Sequence, residues 1–162
     1  MQKFLFMILS VLLLSACGPA ISKTLLSQAD PALTFPDLLK DPEKYRGRIV
    51  VLWGEILETS TRNGETWIEV LQRPLDWRQK PRETDLSSGR FLLHDPEFRD
   101  PAVYARGRRI TVAGEVEGKR AQSLKEMQYA YPVIRPRESH LWSPESMGGP
   151  FFHLGIGVGV YR

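Results

Sequence analysis

The chain has 162 residues, 22 basic and 19 acidic side chains, a formal net charge of +3 and one cysteine. Charges of both signs are interspersed instead of forming runs, which argues against a nucleic-acid-binding surface, and a lone cysteine excludes an intrachain disulfide framework. The 12 prolines and 13 glycines are spread along the chain and predict short elements separated by turns, in one domain with flanking segments.

Lys3 precedes an apolar run from Phe4 to Leu14 that only Ser10 interrupts. The run is about half the roughly 20 residues that a spanning helix needs, so residues 1–16 read as a signal peptide. Leu14, Ser15 and Ala16 before Cys17 form a lipobox, with small residues where a peptidase must enter. Cys17 is then the first mature residue, its thiol alkylated with diacylglycerol and its new amine acylated. One chain holds a membrane only reversibly, at about 0.8 kcal/mol per buried methylene, whereas three hold it durably. Gly18 stands where an Asp would retain the protein at the inner membrane. By analogy, the destination is the outer membrane of a Gram-negative bacterium, lipid-anchored on the periplasmic side. Removing residues 1–16 takes away only Lys3, so the mature chain is close to neutral.

Residues 17–33 read as a lipidated tether with a brief helical turn at Leu25 and Leu26. Thr34-Phe35-Pro36-Asp37 has a capping hydroxyl, an early proline and a first-turn acid, which predict a short helix. The next segment occurs twice. Asp41-Pro42 leads through Tyr45, Gly47 and Arg48 to Ile49-Val50-Val51-Leu52-Trp53-Gly54, and Asp100-Pro101 leads through Tyr104, Gly107 and Arg108 to Ile110-Thr111-Val112-Ala113-Gly114. Each copy reads as an Asp cap, a Pro-started turn ended by Gly, and a strand, with the Tyr packed under that strand. Aligning Gly54 with Gly114 puts Val50, Leu52 and Ile56, and Ile110, Val112 and Val116, on the inward face. The first strand is apolar on both faces, so its outside needs a cover, from the N-terminal helix or the C-terminal tail.

Asn63-Gly64 marks a hairpin turn, and a second strand follows over Thr66 to Leu71 with Trp67 outward, beside Trp53. Residues 72–89 read as a long exposed loop carrying Trp77. Arg90 to His94 form a third strand, Asp95-Pro96-Glu97-Phe98 opens a helical segment, and the second copy supplies the fourth strand. A loop over residues 118–128 precedes a fifth strand from Tyr129 to Ile134, with Pro132 at an edge or bulge. The fold class is mainly β: a small OB-like five-stranded Greek-key barrel with short helical segments, spanning residues 34–142. Residues 143–162 form a Gly/aromatic tail.

In these blocks the chain resembles the Slp family of outer-membrane lipoproteins, the starvation-inducible lipoproteins of Gram-negative bacteria. The resemblance rests on the lipobox, Tyr45-Arg46-Gly47-Arg48 with Trp53-Gly54, Glu69-Val70-Leu71 with Arg73-Pro74-Leu75-Asp76, and Gly89-Arg90-Phe91. Asp100-Pro101 with Gly107-Arg108, Thr111 to Gly114, and Tyr131-Pro132-Val133 complete it. Glu55 after Gly54 and the lack of a Gly-rich turn at residues 123–128 depart from the family pattern. The resemblance implies outer-membrane location and an association with starvation. It supplies no catalytic residues.

No cluster of His, Cys, Asp or Glu has metal-ligand spacing, so no metal or cofactor is expected; His94, His140 and His153 stand apart. Ser87-Ser88-Gly89 lacks an elbow motif. Glu55 and Glu115 are equivalent in the two copies and read as a solvated pair. Arg46, Arg48, Arg106, Arg108 and Arg109 are candidates for a basic band at the strand entrances facing anionic headgroups. Trp53, Trp67 and Trp77 are candidates for a ligand surface or for burial under the chain's own termini. Leu154, Ile156, Val158 and Val160 alternate with glycine or end the chain's apolar pattern, giving a strand that must pair with the barrel edge, another protomer or an envelope partner. Three functions are expected in descending order: a non-enzymatic lipoprotein supporting envelope integrity or stress tolerance through binding; a carrier or sensor for a small amphiphile or glycan; and an envelope hydrolase.

Overall fold

The computed structural model describes residues 20–75, 82, 84–124 and 126–143. Two short helices, α1 (Lys23–Gln28) and α2 (Phe35–Lys40), and a 3-10 turn, Pro42–Tyr45, precede the strands. These are β1 (Ile49–Arg62), β2 (Glu65–Arg73), β3 (Arg90–Asp95), β4 (Arg109–Leu124) and β5 (Met127–Leu141), closed into a barrel in the order β1-β2-β3-β5-β4. All pairs are antiparallel except β3 with β5. This is the OB arrangement expected from the strand order.

The hairpin between β1 and β2 turns at Asn63 and Gly64, both at positive φ (54° and 85°), which matches the right-handed twist of the strands it joins. Val50, Leu52, Ile56, Ile68, Val70, Phe91, Leu93, Ile110, Val112, Val116 and Ile134 fill the interior. The inward faces assigned from the two glycines are therefore correct. Tyr45 and Tyr104 pack against this core from the two equivalent turns. Helix α2 closes one barrel end: the Thr34 hydroxyl accepts from the Asp37 N–H, and Phe35 and Leu38 enter the core. Burying each such side chain contributes about 1.5–3 kcal/mol.

Three features differ from the sequence reading. The expected loop over 118–128 is a hairpin, since β4 runs to Leu124 and β5 starts at Met127. Its residues alternate between exposed and half-buried, but with polar side chains on both faces, so hydropathy carries no period. The expected helix after Asp95 is absent. There the Asp95 carboxylate accepts from Glu97 N–H and the Arg99 guanidinium, and the Thr66 hydroxyl bridges Glu97 C=O and Arg99 N–H, holding the backbone out of a helix. Finally, the residues expected as a tether pack on the barrel from Ile21 onward. Ser22 N–H donates to both Glu138 carboxylate oxygens at 3.1 Å, and Ala29 bridges Ile49. Pro132 and Pro136 each lie beside a bulge, at the register shifts Val116/Gly118 and Ala113/Gly114, as a residue without an N–H requires.

Candidate functional site

The outside of β1 is covered from two directions. Val51 lies beside Leu26 and Ala29 of the N-terminal segment, along a crevice of about 190 Å³. Trp53, 2% exposed, lies under Trp142, with ring centroids 6.2 Å apart at 84°. Trp142 is fixed in turn by its indole N–H donating to Thr111 Oγ1 and its backbone N–H to Arg109 C=O. The covers are thus α1 and the residue just after β5, and not α2, which plugs the barrel end instead.

Trp53 also lines a polar cleft of about 350 Å³ with Glu55, Arg73, Arg82, Thr84, Asp85 and Arg109. The cross-strand register explains it: Trp53 is opposite Arg73, and Glu55 is opposite Arg109, so these side chains share one outer face. Arg73 pairs with Glu55 at 3.6 Å and donates to Thr84 C=O. The Trp53 indole N–H is buried with no hydrogen-bond partner among the described residues.

A second cluster lies on the outer face of β2 and β3. His94 stacks on Trp67 at 4.1 Å and contacts Glu117 through Nδ1 (2.8 Å) and Glu65 through Nε2 (3.2 Å), while the Arg120 guanidinium sits 4.2 Å from the Trp67 ring centroid. Beside it, the Glu69 carboxylate accepts from Arg90 (2.7 Å) and from the Tyr131 hydroxyl (3.0 Å). Burial, and then the bond to Glu69, pushes the Tyr131 phenol up to about 12. His94 is therefore not isolated, as its sequence position implied; its partners come from two other strands. His140 meets Trp142 edge-on.

The candidate residues are distributed as follows. Trp53 and Trp67 are not neighbours: they lie opposite Arg73 and Ser60, about 20 Å apart along the ladder at roughly 3.3 Å per residue. Arg46 and Arg48 lead into β1, and Arg106, Arg108 and Arg109 into β4. Because these strands are antiparallel, the two sets lie at opposite ends of the ladder and form no single band. Arg46 pairs with Glu43, Arg48 with Asp30 at 3.9 Å, and Arg108 donates to Val103 and Trp142 carbonyls. Glu55 and Glu115 are not a solvated pair; Arg73 and Arg137 hold them separately. Among the described residues no three metal-ligating groups converge, and no helix is long and apolar enough to cross a membrane. Leu14, Ser15, Ala16, Cys17, Trp77, His153 and the strand residues Leu154, Ile156, Val158 and Val160 lie outside the described residues.

Residues 14–152 match the model of the outer membrane lipoprotein Slp family. The chain belongs to this family. It is 31% identical over 97 residues to an uncharacterized protein of Haemophilus influenzae, a match covering 59% of this chain and 52% of that one. It thus spans about half the length of that relative. It is 24% identical over 153 residues to the uncharacterized lipoprotein YeaY of Escherichia coli, covering 90% of this chain and 79% of the relative. Among solved structures, it is similar to the mitochondrial single-stranded DNA binding protein Rim1 of S. cerevisiae, with 11% identity and a TM-score of 0.38. That match covers 59% of this chain and 94% of that one. It is also similar to the N-terminal domain of PriB from Thermoanaerobacter tencongensis, with 12% identity and a TM-score of 0.29, covering 59% and 96%. The Slp membership makes this an outer-membrane lipoprotein by family.

Proposed function

We propose that this Slp-family chain is anchored by lipid on Cys17 in the inner leaflet of the outer membrane, faces the periplasm, and supports envelope integrity under stress by binding without catalysis. The observation that carries the binding reading is the Trp53 cleft. It combines a buried indole N–H without an acceptor among the described residues, three arginines and two carboxylates, in a volume within the roughly 300–1,000 Å³ of small-molecule sites. That lining suits a polar, anionic envelope component such as a phosphorylated glycan. The apolar crevice of about 190 Å³ under α1 is too small for a whole amphiphile on the same scale, which favours the glycan form of the carrier reading over the amphiphile form.

The hydrolase reading depended on a convergent His or carboxylate cluster in a cleft. His94 is such a cluster only in part: a carboxylate engages each ring nitrogen and Trp67 covers a ring face, so both nitrogens are occupied by side chains of the barrel.

The test is photocrosslinking in intact cells from a photoreactive residue at Thr84 of the full chain. Capture of a glycan or glycolipid, reduced by Trp53→Phe, which keeps an aromatic ring, though a smaller one, and deletes the N–H, is the expected result. Undiminished capture with Trp53→Phe, or only self-crosslinks, would sink the cleft as the binding site. Loss of the gene should raise envelope permeability during starvation, and a Cys17→Ser chain should fail to restore it.

A further inference from the structure

We infer that the outer surface of β4 around Ala113, with the flanking edges of β1 and β5, is the side of the barrel that rests on the bilayer. Three observations carry this, and it rests on the lipidation of Cys17 proposed above. First, only Gly18, Pro19 and Ala20 separate Cys17 from Ile21, which is buried. Four peptide steps reach at most about 14 Å however they are arranged, so the lipidated residue stays within that distance of Ile21.

Second, the segment that begins at Ile21 is fastened to one side of the barrel. Ser22 is held by Glu138 of β5, and Ala29 and Asp30 are held by Ile49 of β1 through a bridge and a backbone hydrogen bond of 3.3 Å. In the register, Glu138 is opposite Ala113, and Ala113 is opposite Val51, so α1 crosses the outside of β4 between them. The anchor therefore leaves from one defined surface and not from a free-swinging arm. Barrel order puts β2 and β3 across from the stretch of β4 around Ala113; farther along β4, Glu117 and Arg120 reach His94 and Trp67 and lie beyond the bilayer-facing stretch.

Third, the exposed charges around this segment are cations: Lys23 on α1, Arg48 before β1 and Arg137 on β5. The acids among them, Asp30, Glu115 and Glu138, are half-buried and engaged by Arg48, Arg137 and Ser22. Such a surface meets lipid phosphates without placing an exposed carboxylate against them, since Arg48 and Arg137 stay more than half exposed while they pair with the acids. The Trp53 cleft opens on this same outer face, two residues along β1 from Val51, so its ligand would be drawn from the envelope surface itself.

The test uses the full lipidated chain in vesicles of anionic and zwitterionic phospholipid. With Cys17 consumed by lipid, an introduced cysteine is the sole free thiol. A fluorophore at Arg137→Cys should be quenched several-fold more by headgroup nitroxides than one at Thr61→Cys, near the distal hairpin. A long Gly-Ser insertion between Ala20 and Ile21 should remove most of that difference. Equal quenching at both positions, or a difference that survives the insertion, overturns the orientation while leaving the lipoprotein reading intact. An N-terminus that mass spectrometry finds unlipidated overturns both.

Discussion

Leu52 of β1 stands directly opposite Val112 of β4, and these two are corresponding residues of the repeated segments. The pair marks a local two-fold relationship. Gly47 N–H donates to Val116 C=O and Val116 N–H to Arg48 C=O, both at 2.9 Å; Gly107 N–H donates to Ile56 C=O and Ile56 N–H to Arg108 C=O, both at 2.8 Å. Each copy's turn thus closes on the other copy's strand. The Asp-Pro turn ends at a glycine in the left-handed region in both cases, φ 78° and 84°, so one local grammar, used twice, builds the central ladder.

The same relationship predicts matched sensitivities at Gly54 and Gly114. A Cβ at Gly54 would lie 2.2 Å from Leu71 O, and one at Gly114 would lie 2.5 Å from Arg135 O. Both obstacles are backbone in the neighbouring strand, so the barrel must open to accept alanine, and each substitution should cost about 3 kcal/mol or more. Gly47→Ala meets nothing within 4 Å and carries only the cost of its positive φ, about 1–2 kcal/mol. Urea denaturation of the three variants checks this; equal losses at Gly47 and Gly54 would remove the close-approach explanation.

Trp142 should prove part of the domain. Trp142→Ala uncovers the Trp53 ring and leaves Thr111, which is buried, without its indole partner. A loss of about 2 kcal/mol is expected, with red-shifted Trp53 emission. Unchanged stability and emission would mean that Trp53 is covered by something other than Trp142.

Much of the barrel was legible because it is written locally. Asn63-Gly64 specifies its own turn, and the alternation around Gly54 and Gly114 specifies the inward faces. What escaped reading depends on register between distant residues. His94 looked isolated because Glu65 comes from β2, and Glu117 is brought to it by the bulge between Val116 and Gly118. Ile21 looked like tether because its fastening, Ser22 to Glu138, joins residues 116 positions apart. The extension of β4 and β5 escaped for a different reason: strands polar on both faces have no hydropathy period.

Ion pairs of similar length should differ in worth according to burial. Glu69→Ala removes the partner of both Arg90 and Tyr131, whose shared site is half-buried, and should cost about 2 kcal/mol. Glu43→Ala breaks the pair with Arg46, whose side chains are 38% and 60% exposed, and should be far milder because solvent screens it. Chemical denaturation at low and high salt separates them. A Glu43→Ala loss as large as that of Glu69→Ala would contradict the ranking.

Tyr131 should give the domain an alkaline limit. Its phenol is held up from 10.0 to about 12 by burial and by the bond to Glu69. Between those values the folded state keeps a proton that the unfolded chain has lost. The resulting stabilisation is therefore complete below pH 10 and lost as pH rises to about 12. Near-ultraviolet tyrosinate absorbance should show one phenol titrating late in the native protein, and Tyr131→Phe should delete that component while flattening this part of the stability profile. If the late component persists in Tyr131→Phe, the buried phenol is another tyrosine and the link to Glu69 falls.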